Sequence, residues 1–164
     1  MPSLLPNSLK LGLPVWAHGP WAGNFFTTDA KRSDYLAQYG SVFNTVEGNA
    51  SFYGLPKPAT VQRWCEEAPD GFHFCFKFPR VVSHDLLLKN AGYETDQFLE
   101  RVKPLGLKLG SFFIQLPPHF GPRQLSNLPP FLKSLPPEFQ YAVEVRHTAF
   151  FNGSVEESDL NQML

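Results

Sequence analysis

The chain has 164 residues, a formal net charge of −1, and a composition that is 43% hydrophobic and 18% charged. These values predict one globular domain spanning 1–164, with a flexible N-terminal segment at 1–9, and they exclude a largely disordered chain. Near-neutral charge argues against extended nucleic-acid binding. No segment resembles a signal peptide or reaches transmembrane length, and Cys65 and Cys75 form no metal or redox motif. We therefore expect a cytoplasmic protein with no membrane partner.

Short apolar runs that end in polar or ionisable residues recur along the chain at intervals of about thirty residues. The spacing leaves room for a loop and one helix between consecutive runs, as in a parallel β/α protein. The first predicted strand spans residues 10–16 and is followed by a loop rich in Gly, Trp and His, and then by a helix at 29–38. The second strand, 42–47, precedes a helix at 57–67 whose apolar residues fall at helical spacing.

The third predicted strand alternates phenylalanine with other residues. Phe72, Phe74, Phe76 and Phe78 fall on one face, and His73, Cys75 and Lys77 fall on the other. In a β/α barrel the outer face of a strand meets helices, whereas the inner face accepts polar groups near the carboxyl-terminal mouth. We therefore expect Lys77 at the mouth and the phenylalanines beneath the helices.

Two further strands complete the predicted pattern. A helix at 96–105 leads to a fourth strand ending at Gln115, and a helix at 123–135 leads to a fifth strand ending near Arg146. Ser154 begins a capping box for a last helix, and only eleven residues remain from that point. Because five strand–helix units cannot close an eight-stranded barrel, the sequence predicts a chain that stops inside its fifth unit.

Four sequence blocks, in a fixed order, carry a resemblance to a known family. They are FNTVEGNASFY at 43–53, FKFPR at 76–80 with Ser83-His84, the segment 109–120 that contains QLPPHF, and AVEVRH at 142–147. Together with Val15-Trp16 and Trp21-x-Gly23, they resemble the YecE-like family (domain of unknown function 72) over residues 11–151.

The resemblance implies a TIM-like (β/α) barrel of about 250 residues. The predicted fold is therefore α/β, a TIM-like (β/α) barrel with about five of its eight β/α units present in this chain, hence a partial barrel that is incomplete at its C-terminus. The family has no settled activity, so the resemblance constrains the fold more than the function.

Glu47, Lys77, Glu144 and His84 are the candidate catalytic residues, because parallel strands deliver their carboxyl ends to one rim. We expect an ion pair between Glu47 and Lys77, which would lower the pKa of the carboxyl group, or else serve only to tie two strand ends together. Arg146 would clamp a phosphate or carboxylate while Glu144 acts as general base. The alternative is that both satisfy neighbouring backbone groups.

The candidate substrate-binding residues border the same mouth: Trp16, Asn49, Tyr53, Arg80, Gln115, Arg146 and His147. Trp16, Trp21, Phe52 and Tyr53 would form an aromatic wall for a sugar ring or a base, or would cap the barrel core instead. Arg80 would contact an anion, or remain simply solvated. A loop histidine on this rim is likewise either functional or solvated.

No metal site is predicted. Glu47, His84, Glu144 and His147 are chemically acceptable ligands, but they lack a compact spacing such as H-x-x-x-H. The sequence also contains no Walker loop, no G-x-G-x-x-G and no G-x-S-x-G, so it identifies no cofactor.

These observations favour an enzyme that acts on a small anionic or phosphorylated substrate by acid–base or hydrolytic chemistry at the carboxyl-terminal barrel mouth. One alternative is a module that binds a ligand or a nucleic-acid end without turnover. Another is a truncated gene product with little activity of its own, in which the exposed edge of the incomplete barrel promotes self-association.

Overall fold

A computed structural model describes residues 9–164, so all but the last residue of the predicted N-terminal segment at 1–9 lies outside the described part. The fold is a parallel four-stranded sheet in the order β1-β2-β3-β4, which confirms the predicted α/β class. The strands are β1 (Thr45–Gly48), β2 (His73–Lys77), β3 (Leu109–Gln115) and β4 (Tyr141–Glu144). The helices are α1 (Tyr35–Gly40), α2 (Ala50–Tyr53), α3 (Pro58–Glu67), α4 (Gly92–Val102), α5 (Leu128–Ser134) and α6 (Val155–Met163).

The first predicted strand, 10–16, is not a strand in the structure. Its backbone runs beside β1, where the Glu47 N–H donates to the Leu13 carbonyl oxygen at 3.1 Å. Side-chain oxygens accept from the backbone N–H groups that would otherwise pair in a β-ladder. The Leu11 N–H donates to Asn44 Oδ1 at 2.9 Å, and the Leu13 N–H donates to the Tyr39 hydroxyl at 2.6 Å. The described part of the chain therefore has four strands where the sequence predicted five.

Helix boundaries differ from prediction where local hydrogen bonds or prolines intervene. The helix predicted at 29–38 begins only at Tyr35, because the Asp34 carboxylate accepts from the Lys31 N–H at 2.9 Å and closes a turn ahead of it. The helix predicted at 123–135 is a short 3₁₀ turn followed by α5, whose first turn contains Pro129 and Pro130. Proline is tolerated there because the first N–H groups of a helix have no intrahelical partner.

The sheet has one face covered by helices and one open face, and each strand contributes to both. Phe74, Phe76, Phe112 and Ile114 on the covered face are almost fully buried. The Phe74 and Phe76 rings stack with centroids 5.9 Å apart, and the ring centroid of Trp64 in α3 lies 5.8 Å from that of Phe74. Burial of each such ring stabilises the fold by about 1.5–3 kcal/mol, so the covered face supplies the core.

The open face carries Thr45, His73, Cys75, Lys77 and Phe113, all of them only partly buried. This is the alternation predicted for the third strand, and β2 confirms it. Strand register fixes the height of each side chain: Glu47 lies beside Cys75, Lys77 beside Phe113, and Gln115 beside Glu144. The polar residues therefore collect at the carboxyl ends of the strands.

Within residues 9–164, no helix combines the length and the apolar character that crossing a bilayer requires.

Candidate anion-binding rim

The rim, as we define it, consists of Glu47, Lys77, Gln115, Glu144 and Arg146, at or just beyond the carboxyl ends of the strands on the open face. Gln115 and Glu144 are direct partners across β3 and β4. Lys77 lies close enough to Glu47, Glu144 and Arg146 for each of them to influence the pKa of its amine. All four strands thus contribute a polar residue to the rim, because the carboxyl ends of parallel strands lie at the same end of the sheet.

Arg146 joins two strand ends through its guanidinium. Its Nε donates to Glu144 Oε1 at 2.7 Å, and its Nη2 donates to Gln115 Oε1 at 3.0 Å. Gln115 is only 8% exposed, so this bond satisfies a buried amide oxygen. A guanidinium has five N–H donors, and these two bonds leave the others available to a ligand while they fix its plane.

The predicted ion pair between Glu47 and Lys77 is wrong: the ion pairs found among residues 9–164 do not include it. Instead, the Lys77 ammonium lies 4.3 Å from the centre of the Phe52 ring, in a cation–π contact. Burial lowers the pKa of Lys77, and the positive charge of Arg146 lowers it further, against the opposing effects of Glu144 and Glu47. Lys77 is therefore a partly desolvated cation without a close carboxylate.

The position of Phe52 follows from the sequence just after β1. At Gly48, a Cβ would lie 2.5 Å from the Phe76 ring, so only glycine lets β1 approach β2 this closely. The Ser51 hydroxyl then lies 2.8 Å from the Gly48 carbonyl oxygen and 2.6 Å from that of Lys77. These contacts hold α2 against the end of β2 and place its next residue, Phe52, beneath the lysine side chain.

His84 adds an imidazole next to Phe52. It lies on a π-helical turn, Val81–Asp85, with its ring centre 5.0 Å from that of Phe52 and its Nδ1 2.9 Å from the Ser83 hydroxyl. Burial lowers the pKa of His84 most, and the cations Arg80 and Lys77 lower it further. His84 is therefore biased towards the neutral form, which can accept a proton.

His119, in the loop after β3, is a neighbour that the sequence analysis missed. It is close enough to His84 to lower the pKa of that imidazole. A signal was available, because His119 follows Gln115 by four residues in the QLPPHF block, in the loop that begins at a strand end. Its proximity to His84 depends on two loops from neighbouring units, which sequence spacing alone does not reveal.

Two predicted binding residues, Trp16 and His147, instead make contacts within the fold. Trp16 packs edge-on against Trp64 and Phe74, at 5.4 and 5.9 Å between ring centres, so it contacts the covered face rather than the rim. His147 Nδ1 accepts from the Ala149 N–H at 3.1 Å and caps a 3₁₀ turn, Thr148–Phe150. This bond requires an unprotonated Nδ1.

Three other predicted residues follow the carboxyl ends of β1 and β2. Asn49 donates to the Pro14 carbonyl oxygen at 3.3 Å and ties the N-terminal segment to the loop after β1. Tyr53 is 84% exposed. Arg80 pairs with Asp85 at 3.2 Å, and both line a cavity outside the rim. The charge of Arg80 is thus partly balanced before any ligand binds.

In the described part of the chain, no three His, Cys, Asp or Glu side chains cluster closely enough to hold a metal ion. The carboxylates of Glu47 and Glu144 and the imidazoles of His84 and His147 therefore do not form a ready-made ligand set.

The sheet is parallel, and polar residues from different strands gather at its carboxyl end. The molecule is therefore an α/β protein with a candidate ligand site at the carboxyl ends of its strands. The model of the family described as "Protein of unknown function DUF72" matches residues 10–164, and the chain belongs to that family.

Comparisons with individual proteins agree with this assignment. The chain is 46% identical over 156 residues to the UPF0759 protein YecE of Escherichia coli K12, and equally so to that of the O157:H7 strain. The match covers 95% of this chain but only 55% of either relative.

Solved structures of two DUF72 family proteins share the fold. One, from Thermotoga maritima, has a TM-score of 0.76 at 24% identity, covering 93% of this chain and 60% of that one. Another, from Enterococcus faecalis, has a TM-score of 0.70 at 25% identity, covering 94% and 56%. The molecular function of the family is unknown.

Proposed function

We propose that the rim binds a small anionic ligand, such as a phosphate ester, and that the protein is an enzyme that performs acid–base or hydrolytic chemistry on it. The observation that carries the proposal is the state of Lys77: a partly desolvated ammonium beside Arg146, with no ion pair to a carboxylate among residues 9–164. A ligand anion between the two cations would remove their mutual repulsion. The repulsion between Lys77 and Arg146 therefore favours an anion at this position.

The geometry of Arg146 supports a phosphate or carboxylate as the bound group. Glu144 and Gln115 hold the guanidinium plane in place, and a fixed guanidinium can offer two parallel N–H donors to a planar or tetrahedral anion. His84 is near enough to Lys77 for the ammonium to lower the pKa of its imidazole, and the neutral imidazole can accept a proton. The predicted ligand is small because one lysine, one arginine and one imidazole border the site.

Within this proposal, the two glutamates have different roles. The Glu144 carboxylate is committed to Arg146 at 2.7 Å, so it positions the guanidinium. The Glu47 side chain makes no hydrogen bond to any part of residues 9–164, yet it is near enough to raise the pKa of Lys77. We therefore assign the general base to Glu47 rather than to Glu144.

We also propose that the sheet forms part of a TIM-like (β/α) barrel, with the rim at its mouth. Three features support this: the parallel order of the strands, the helices confined to one face, and the greater length of the solved relatives. Two free cysteines, Cys65 and Cys75, support a reducing compartment, and we propose the cytoplasm.

The unpaired edge of β4 supports a further proposal, self-association of the chain. Tyr141–Glu144 pairs with β3 and with no other strand among residues 9–164. Exposed strand edges offer free backbone donors and acceptors to a second chain. We expect sedimentation velocity to show concentration-dependent dimers, and a monomer at every concentration would contradict this.

Calorimetric titration with inorganic phosphate tests anion binding directly. Lys77→Met keeps an unbranched side chain but removes the charge, and we expect phosphate affinity to fall at least tenfold, about 1.4 kcal/mol. Lys133→Met, which removes an exposed lysine in the last turn of α5, is the matched control and should leave affinity unchanged. Equal affinity in both variants, or no binding by the wild-type protein, would refute the proposed site.

Turnover is tested separately with a panel of phosphomonoesters. Glu47→Gln should abolish hydrolysis while phosphate affinity is retained, because the change removes the base and keeps the cations. Phosphate binding without turnover of any ester would leave a binding module in place of the proposed enzyme.

A further inference from the structure

We propose that a second site, distinct from the rim, binds the ring of a neutral saccharide. The site is a cavity of about 440 Å³ between the end of α2 with the loop that follows it, the turn Val81–Asp85 and the first turn of α4. Its volume lies within the range of about 300–1,000 Å³ typical of small-molecule sites. None of the five rim residues lines it.

The walls of the cavity are aromatic and unusually exposed. Tyr53 is 84% exposed and Tyr93 is 73% exposed. Phe52 and Tyr53 meet at an interplanar angle of 89°, with ring centres 5.1 Å apart, which makes an aromatic corner. Leu55 and Val81, 39% and 36% exposed, extend this apolar surface. Contiguous exposed apolar surface in a concavity indicates a binding site.

The cavity is preformed, because hydrogen bonds tie its walls together. Arg101 of α4 donates to the Pro56 carbonyl oxygen at 2.5 Å, which joins the loop that follows Tyr53 to the helix that carries Tyr93. Between the turn and α4, Leu87, Leu88 and Asn90 all adopt positive φ. Such backbone is costly in non-glycine residues and persists only where the surroundings fix it.

The charges in the cavity favour a neutral ligand with hydroxyl groups. Arg80 and Asp85 form an ion pair at 3.2 Å, and Glu94 adds a further carboxylate, so the lining carries a net negative charge. This charge disfavours a phosphate. Carboxylates accept charge-assisted hydrogen bonds from hydroxyl groups, and tyrosine rings pack against the C–H face of a sugar. A saccharide ring presents both features at once.

Ligand-observed saturation-transfer NMR with methyl α-D-glucopyranoside and N-acetylglucosamine as probes tests the site. We expect transfer to at least one of these sugars, and about fivefold or greater loss of affinity in Tyr53→Ala and Tyr93→Ala. Tyr53→Phe and Tyr93→Phe keep the rings and should keep most of the binding. Phe151→Ala, which removes an exposed aromatic ring that does not line the cavity, is the matched control and should bind normally.

Absence of transfer to either sugar, or affinity that is equal in wild type and both alanine variants, would overturn the inference. Stronger transfer to adenosine than to the sugars, lost in the same variants, would overturn it in favour of a nucleobase. Lys77 and Arg146 do not line the cavity. A negative result with the sugars would therefore leave the phosphate titration unchanged, and the two proposals can fail separately.

Discussion

The two faces of the sheet are built from the same four strands, yet they are opposite in character. On the covered face, Phe74, Phe76 and Phe112 are fully buried; Phe74 stacks on Phe76, and Phe112 packs edge-on against Phe98. On the open face, alternating residues are half-buried and become polar towards the carboxyl ends of the strands. The contrast indicates that stability resides mainly on one face and that ligand chemistry is available on the other.

Adjacent residues of β3 test this contrast with the same side chain. Phe112 is fully buried on the covered face and Phe113 is only partly buried on the open face. We expect Phe112→Ala to lower the free energy of unfolding by about 3–5 kcal/mol, through lost burial and a cavity. Phe113→Ala should cost less than half as much. Chemical denaturation of both variants measures these free energies of unfolding.

If Phe112→Ala does not fold, Phe112→Leu against Phe113→Leu preserves the comparison at a smaller scale. Equal losses in the two positions would mean that the open face is as well packed as the covered one, and the division between the faces would fail.

A pair of glycines tests how closely β1 must approach β2. A Cβ at Gly48 would lie 2.5 Å from the Phe76 ring, whereas a Cβ at Gly54 would meet nothing within 4 Å. We expect Gly48→Ala to cost about 1–3 kcal/mol and Gly54→Ala to be near neutral, since the extended backbone at Gly54 suits any residue. Equal melting temperatures for the two variants would show that the distance between β1 and β2 does not require glycine at position 48.

Arg146→Gln separates function from stability on the open face. The pair of Arg146 with Glu144 is almost half exposed, and the introduced amide keeps an N–H donor for the buried Gln115 oxygen, so the free energy of unfolding should change by less than about 1 kcal/mol. Phosphate affinity should nevertheless fall about tenfold, because the oriented donors are lost. A large stability loss with unchanged phosphate affinity would make Arg146 a structural residue.

The smallest expected effect is a pH dependence that originates from His73 on the open face and from His84 on the turn after β2. Burial is the first cause of a lowered pKa in both His73 and His84, so the unfolded chain binds more protons than the folded chain below the ordinary value of 6.5. Stability should therefore be full above pH 6.5 and decrease as the pH falls below it. Melting temperatures between pH 7 and pH 5 should decline less steeply in His84→Asn, and an unchanged slope would exclude His84 as a contributor.

Much of the fold could be predicted from local sequence. The alternation along 72–78 correctly placed the β2 phenylalanines on the covered face and Lys77 at a strand end, because side-chain direction in a strand has a period of two. The helix at 57–67 was also predicted, and α3 begins within one residue of that position. The register that brings Gln115 beside Glu144 follows from parallel order.

What the sequence could not supply are contacts between side chains of different units. The Glu47–Lys77 pair was expected from strand adjacency, but the ring of Phe52 takes the lysine ammonium, a contact set by the short helix α2. The segment 10–16 has strand-like composition, yet Asn44 and Tyr39 bind the backbone donors that a ladder would need. Both outcomes depend on tertiary neighbours rather than on periodicity.

The most direct test of the account is the ionisation of Lys77, followed through its ¹³Cε resonance during an alkaline titration and assigned with Lys77→Arg. The account predicts a pKa below the ordinary lysine value of 10.5, and an upward shift of that pKa when inorganic phosphate saturates the protein. A Lys77 that titrates at the ordinary value, and whose titration phosphate does not alter, would contradict an anion site at this rim.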